Sequence, residues 1–266
     1  MRRLPAIVAA LGFVLMPLAA PFPAAAAPTV PSAPEEALPW STLTTPGRGV
    51  QLLYRGGLSA SGTVADSSGH DLDGTIETGG GGSVTSVAGR FLRFPGGSCP
   101  VAPCPQAIVR PSRGDTLVPG DGIFSFGADV RLTEPPSTVA GMNVFQFGAA
   151  GTGLQQWKLQ VDSGRPSCRW SDGTAVVLLP ADLALVPGTW YRVRCTRLSA
   201  SVFETRVVHP TTGRPVAPPA RQTTTMGPIV PTGAPVIAGK RVNAAQSDVD
   251  TDQFHGDLDN VYFWRA

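Results

Sequence analysis

The run GDLDNVYFWRA, Gly256 to Ala266, places two carboxylates two residues apart and follows them with a dense apolar and aromatic tail. In a half-buried strand, alternate side chains face the core. Strict alternation fails here, because the parity changes between Leu258 and Val261, so Leu258, Val261 and Phe263 cannot all share one face. A β-bulge near Asp259 and Asn260 reconciles them, and bulges re-aim side chains at functional places. The run therefore reads as the closing strand of a β-sandwich, with Asp259 turned toward the turn that holds Asp66.

Working back from this strand, short β-rich runs alternate with Gly and Pro from Val50 onward, and no window carries a helical period over ten residues. Strands are expected at VQLLY, GTIE, RFLRF, QAIV, IFSFGADVRL, MNVFQFG, LQQWKLQV, PSCRW, TWYRVRCTRL, SVFETRVV, APVIAG and DNVYFW. Such a series without helices predicts an all-β fold, a two-sheet antiparallel β-sandwich. In QQWKLQVD, Trp157, Leu159 and Val161 share one face and Gln156, Lys158 and Gln160 the other, which assigns Trp157 to the core. The glycine-rich TGGGGSV, Thr78 to Val84, lacks the Lys-Ser/Thr of a phosphate loop and reads as a flexible hairpin connection.

The N-terminus sets the compartment. Arg2 and Arg3 precede an apolar stretch and then the small residues of PFPAAAAP, the pattern of a secretory signal peptide, residues 1–26, cleaved after Ala26. Losing the two arginines takes the formal charge from +2 to 0, which argues against nucleic acid or another polyanion as the general partner. No later stretch is apolar for long enough to span a membrane, so no insertion is expected after signal removal. Residues 27–49 are rich in Pro, Ser and Thr and read as a loosely attached leader. The remaining chain, 50–266, suits one large β domain.

Four cysteines in an exported chain suggest two disulfides, with three possible connectivities. Cys99 and Cys104 enclose PVAP, a proline-stiffened loop that a local bridge would pin. Cys168 and Cys195 fall in strands expected to be neighbours. If they pair, Pro166, Cys168 and Trp170 share a core face with Tyr191, Val193 and Cys195, and Arg169, Trp190, Arg192 and Arg194 take the opposite face. Paired C-x-x-C spacing, the mark of a four-cysteine zinc site, is absent.

The segments VADSSGHDLDGTIE, VAGRFLRFPGG, IFSFGADVRL, GTWYRVRCTR and FHGDLDNVYFW, in this order over roughly Val50 to Ala266, resemble the laminin-G-like, concanavalin A-like jelly roll of secreted bacterial proteins, of actinobacterial type. The D-x-S-G turn falls at Asp66 to Gly74, the G-x-W strand start at Gly188 to Trp190, and the last-strand motif at Gly256 to Val261. The resemblance implies a calcium ion tying the first strands to the last. Calcium accepts six to eight oxygen ligands in loose geometry, and the candidate ligands are Asp66, Asp259 and, more weakly, Asp73. Asp248, Asp250 and Asp252 in SDVDTDQF are alternatives, although that run lacks the Gly and terminal Glu of an EF-hand loop.

Catalytic patterns are missing from the sequence. There is no glucanase-type E-x-D-x-x-E strand and no G-x-S-x-G elbow. Glu204 alternates outward with Arg206 and reads as a surface ion pair. His70, His209 and His255 are scattered in turn-like contexts, and His255 reads as a solvated loop residue. The expectation is a non-catalytic module, with carbohydrate or an extracellular protein as the partner implied by the resemblance. Its candidate surface is the polar face of Lys158, Arg169, Trp190, Arg192 and Arg194, which sets an aromatic ring for sugar stacking beside cations. A structural or adhesion domain without a small ligand is the alternative, and after it a polysaccharide-acting enzyme on the same fold.

Overall fold

The computed structural model of the chain describes residues 49–266 except 98, 137–140 and 244. The expected signal peptide and all of the leader but Gly49 lie outside the described residues. The strands are β1 (Val50–Leu58), β2 (Val64–Asp66), β3 (Gly74–Gly79), β4 (Thr85–Val87), β5 (Phe91–Arg93), β6 (Gln106–Pro111), β7 (Phe124–Leu132) and β8 (Met142–Gly148). They continue with β9 (Gln155–Asp162), β10 (Arg165–Asp172), β11 (Val176–Pro180), β12 (Tyr191–Arg197), β13 (Val202–Val208), β14 (Ala220–Thr223), β15 (Val236–Ile237) and β16 (Gly256–Arg265). A single helical turn, α1 (Asp248–Thr251), precedes β16.

All of the strand pairs are antiparallel, and hydrogen bonding follows the path β11-β10-β9-β8-β15-β6-β3-β2-β1-β16-β7-β12-β13-β14, with β4 and β5 attached beside β16. Ring contacts between the two halves of the path set them face to face as the layers of a sandwich. Trp157 of β9 lies 4.7 Å from Phe126 of β7 and 5.2 Å from Phe263 of β16, between ring centroids. Trp170 of β10 lies 5.1 Å from Phe203 of β13. These aromatic contacts join the inner faces into one buried cluster, as expected for sheets whose inward side chains interdigitate.

Both expected disulfides form, Cys99 to Cys104 and Cys168 to Cys195. The second corrects the expected geometry. β10 pairs with β9 and β11, whereas β12 pairs with β7 and β13, so Cys168 and Cys195 are not on neighbouring strands. The bridge instead crosses the core from one layer to the other. Because the two strands meet face to face, their reverse faces look outward on opposite sides of the sandwich. Lys158 and Arg169, cross-strand partners on β9 and β10, are thereby separated from Trp190, Arg192 and Arg194.

The bulge in the closing strand is present. The β16–β7 register shifts between Asp259 and Tyr262, and Asn260 takes a left-handed φ of 47°. Leu258, Val261 and Phe263 all enter the main core, while Tyr262 turns to the other face, packs with Val50 and Leu53 and hydrogen-bonds the Ser125 hydroxyl at 2.9 Å.

Three local readings change. TGGGGSV joins β3 to β4, which do not pair with each other. A Cβ on Gly80 would sit 1.9 Å from the Cys104 carbonyl oxygen, so close backbone approach explains a glycine there better than flexibility. Glu204 does face Arg206 at 2.9 Å, but it is buried beneath Arg206 and Arg221. His255 is buried too: Nε2 meets Asp248 Oδ2 at 2.8 Å and Nδ1 meets the Pro95 carbonyl at 2.7 Å. Burial opposes its charge, yet these hydrogen bonds prevail and raise its pKa.

Candidate functional site

The outer face of the β5, β16, β7 and β12 layer follows from simple alternation. With Leu258, Val130 and Val193 pointing inward, Asp257 and Asp259, Asp129 and Arg131, and Arg192 point outward. Register then aligns these side chains in two rows. In the first, Asp257 of β16 stands between Arg93 of β5 and Arg131 of β7, and its fully buried carboxylate accepts hydrogen bonds from both guanidiniums. In the second, Asp129 stands between Asp259 and Arg192. Arg192 grips Asp129 with two bonds, Nε to Oδ1 at 2.6 Å and Nη2 to Oδ2 at 2.8 Å, the fork geometry that suits carboxylates. The Asn260 amide, delivered by the bulge, donates to Asp129 at 2.9 Å and Asp259 at 3.1 Å.

Arg131 of the first row and Asp129, Asp259 and Arg192 of the second line a cavity of about 550 Å³ together with Arg90, Phe91, Thr189, Trp190 and the 209–211 loop, within the usual range of ligand pockets. Trp190 arrives through a turn in which the Thr189 N–H donates to the Val186 carbonyl at 3.1 Å. Pro187 and Gly188 take its central positions, and Gly188 has φ 81°, as a type II turn requires. Trp190 meets Phe91 edge to face at 5.4 Å. The Arg131 guanidinium lies 4.8 Å from both ring centroids, an attractive placement for a cation on an aromatic face. His209 Nδ1 accepts from the Thr211 and Thr212 amides, each at 3.3 Å, which leaves Nε2–H as a donor. Burial, reinforced by neighbouring Asp129, pushes the Asp259 carboxyl up to about 6 against the opposing Asn260 N–H bond.

Of the expected ligand residues, the structure brings Trp190 and Arg192 together in this cavity. Lys158 and Arg169 lie on the other layer, where burial holds the Lys158 amine below its usual pKa despite nearby Asp252 and Asp162. The expected calcium ligands are not gathered into a ligand set. Asp66 accepts from the Leu53 and Ser68 amides on Oδ1, and from the Ser68 hydroxyl and Leu72 amide on Oδ2. Those four bonds occupy its lone pairs. Asp73 Oδ1 accepts the Asp66 N–H at 2.8 Å, so both residues brace the turn. The bulge aims Asp259 at Asp129 and not at Asp66. In SDVDTDQF, Asp248 holds His255 and the Cys99 amide, Asp250 accepts from the Ser247 hydroxyl, and Asp252 meets Lys240 and Asn143. Among the described residues no group of three or more His, Cys, Asp or Glu is arranged to hold a metal ion. These donor sets do not fit calcium.

Sequence reading missed Asp129, Arg131, Phe91, Arg90 and His209 as site residues. In GADVRL, Asp129 and Arg131 alternate with the apolar Ala128, Val130 and Leu132, but their alignment with Asp257 and Asp259 depends on register across the bulge.

No protein-family model matches the chain, and no curated protein matches it. Its likeness is to solved structures. It matches the binding domain of botulinum neurotoxin DC in complex with SialylT at 10% identity and TM-score 0.51, over 82% of this chain and 48% of that one. The serotype G binding domain matches at 11% and 0.52, over 81% and 47%. The serotype D ligand binding domain in complex with N-acetylneuraminic acid matches at 10% and 0.53, over 84% and 49%. The chain thus spans about half the length of each. Identity this low shows shared fold alone: a β-rich, jelly-roll-like sandwich.

Proposed function

We propose that the chain is a non-catalytic saccharide-binding module of an exported protein, with the Trp190 cavity as its binding site. The observation that carries this reading is the cavity's construction. A half-buried tryptophan, with Arg131 and Phe91 against its ring, borders carboxylates and guanidiniums fixed by sheet register, so a sugar can pack on the aromatic edge of the cavity while its hydroxyls meet preoriented donors and acceptors. The fold likeness to binding domains, one named in complex with N-acetylneuraminic acid, supports the same class of ligand.

A glycosidase reading would use Asp129 and Asp259 as its carboxylate pair. Asp259 has a raised pKa suited to a general acid, but both oxygens of Asp129 are engaged by Arg192, so Asp129 serves as a counter-ion and is not free to attack or to activate water. Two disulfides suit an oxidising compartment, in keeping with the N-terminal signal pattern. Among the described residues no helix is long and apolar enough to cross a membrane.

The test is a glycan array probed with the disulfide-intact chain. Binding to a defined saccharide set, lost in Trp190→Ala, is the expected result. An array with no signal would leave a structural or adhesion role.

A further inference from the structure

Building on the saccharide-binding reading, we infer that the cavity selects an acidic saccharide, with the sugar's carboxylate held at the Arg131 and Arg90 end and its hydroxyls at the Asp259 end. The two ends of the cavity are charged in opposite senses. In the first row Asp257 is fully buried between Arg93 and Arg131, whose side chains keep 47% and 23% of their exposure, and of the three it is Arg131 that lines the cavity. The excess positive charge is therefore on the solvent side of that row. Arg90, exposed at the same end, makes no ion pair among the described residues. Arg131 is held in one orientation by the bonds of its Nε and Nη2 to Asp257 and by the Phe91 and Trp190 rings, and its Nη1 makes no hydrogen bond among the described residues, which reduces the entropy lost when that end binds a carboxylate.

Among the residues that line the cavity the second row has the reverse excess, Asp259 and Asp129 against Arg192, with Arg55 outside the lining offsetting part of it. Acceptors at this end suit donor hydroxyls, and the His209 Nε2–H adds a donor at the rim. A neutral sugar would use the acceptors and the Trp190 ring but leave the cationic end unmatched. A simple anion would match only the cationic end. A sugar bearing a carboxylate complements both. Uronates and sialic acids share this chemistry, and the titrations below separate them.

The experiment titrates the disulfide-intact chain with trigalacturonate and its carboxyl-reduced counterpart, and with 3′-sialyllactose and lactose, at low and high salt. In at least one pair the acidic member should bind about tenfold more tightly at low salt, the scale of one charge-assisted contact. High salt should narrow the gap. Arg90→Gln, at an exposed position, should bring the acid-to-neutral ratio toward 1, and Arg131→Lys, which keeps the charge but cannot bond Asp257 through two nitrogens and still present a third, should lower it as well. Equal binding of acidic and neutral members overturns the acid preference and leaves the saccharide reading standing. A preference unmoved by either variant overturns the assignment to Arg90 and Arg131. Failure of all four probes together with a silent array removes the saccharide reading itself, and failure of all four with neutral glycans bound on the array removes the acid preference alone.

Discussion

Asp259 is the residue at which structure and function pull apart. Its ordinary pKa is 3.8, and in the folded chain burial lifts it to about 6. Well below pH 3.8 the carboxyl is protonated in the folded and unfolded states alike and contributes no pH dependence. As pH rises from 4 through 6 the unfolded chain gives up its proton first, so stability falls, and above 6 the full cost of a buried charge remains. Asp259→Asn should therefore raise the melting temperature at pH 7.5, by an amount that shrinks through pH 6 and disappears near pH 4. A difference that does not change with pH would contradict this assignment. A side chain retained at a cost to stability is expected at a binding site. The sequence identified Asp259 as special through the parity break in LDNV, but it directed the side chain toward Asp66. The error came from register: only the pairing of Asp259 with Asp129 across the bulge decides where the carboxylate points.

At the scale of elements, a strand with a polar outer face and an apolar inner face was legible, as in QQWKLQV for β9, whereas MNVFQFG for β8 was legible by composition alone, since adjacent Val144 and Phe145 both enter the core where the register shifts. β11 was not, because Val176 and Leu178 are exposed on one side while Val177 and Leu179 are buried on the other, which leaves no alternation to read. β2, β4 and β14 escaped because three or four residues carry too little pattern. The cysteines showed which side chains face inward, but period two cannot tell a bridge within a sheet from one between sheets. That ambiguity merged Lys158 and Arg169 with Trp190 into a surface that does not exist. The two bridges should contribute unequally to stability. Cys168 to Cys195 closes 27 residues of chain and Cys99 to Cys104 closes 5. The chain-entropy model gives about 3.5 kcal/mol for the first and about 2 kcal/mol for the second. Paired Cys→Ser variants, compared by denaturant unfolding, should show the larger loss for Cys168/Cys195. The reverse order would contradict the placement of that bridge as a tie between layers.

For the molecule as a whole, the sandwich is held by its aromatic core and the interlayer bridge. The first and last strands meet by direct pairing of β1 with β16, and the turn at Asp66 is closed by its own hydrogen bonds. Calcium or chelator should therefore leave the melting temperature of the disulfide-intact chain unchanged. A rise with calcium would mean that an ion binds through some other set of ligands. The general architecture was legible because it depends on strand periodicity and core composition. The site was legible only in part, since its rows arise from residues as far apart as Arg93 and Asp257.

The central claim is that the Trp190 cavity, on one outer face, binds saccharide, and that the Lys158 face opposite does not. The most direct measurement compares glycan binding by the unaltered chain, Trp190→Ala and Lys158→Ala, each checked for folding by its thermal transition. The account predicts that Trp190→Ala abolishes binding and Lys158→Ala preserves it. Binding lost in Lys158→Ala and kept in Trp190→Ala would place the site on the wrong side of the sandwich and contradict the account.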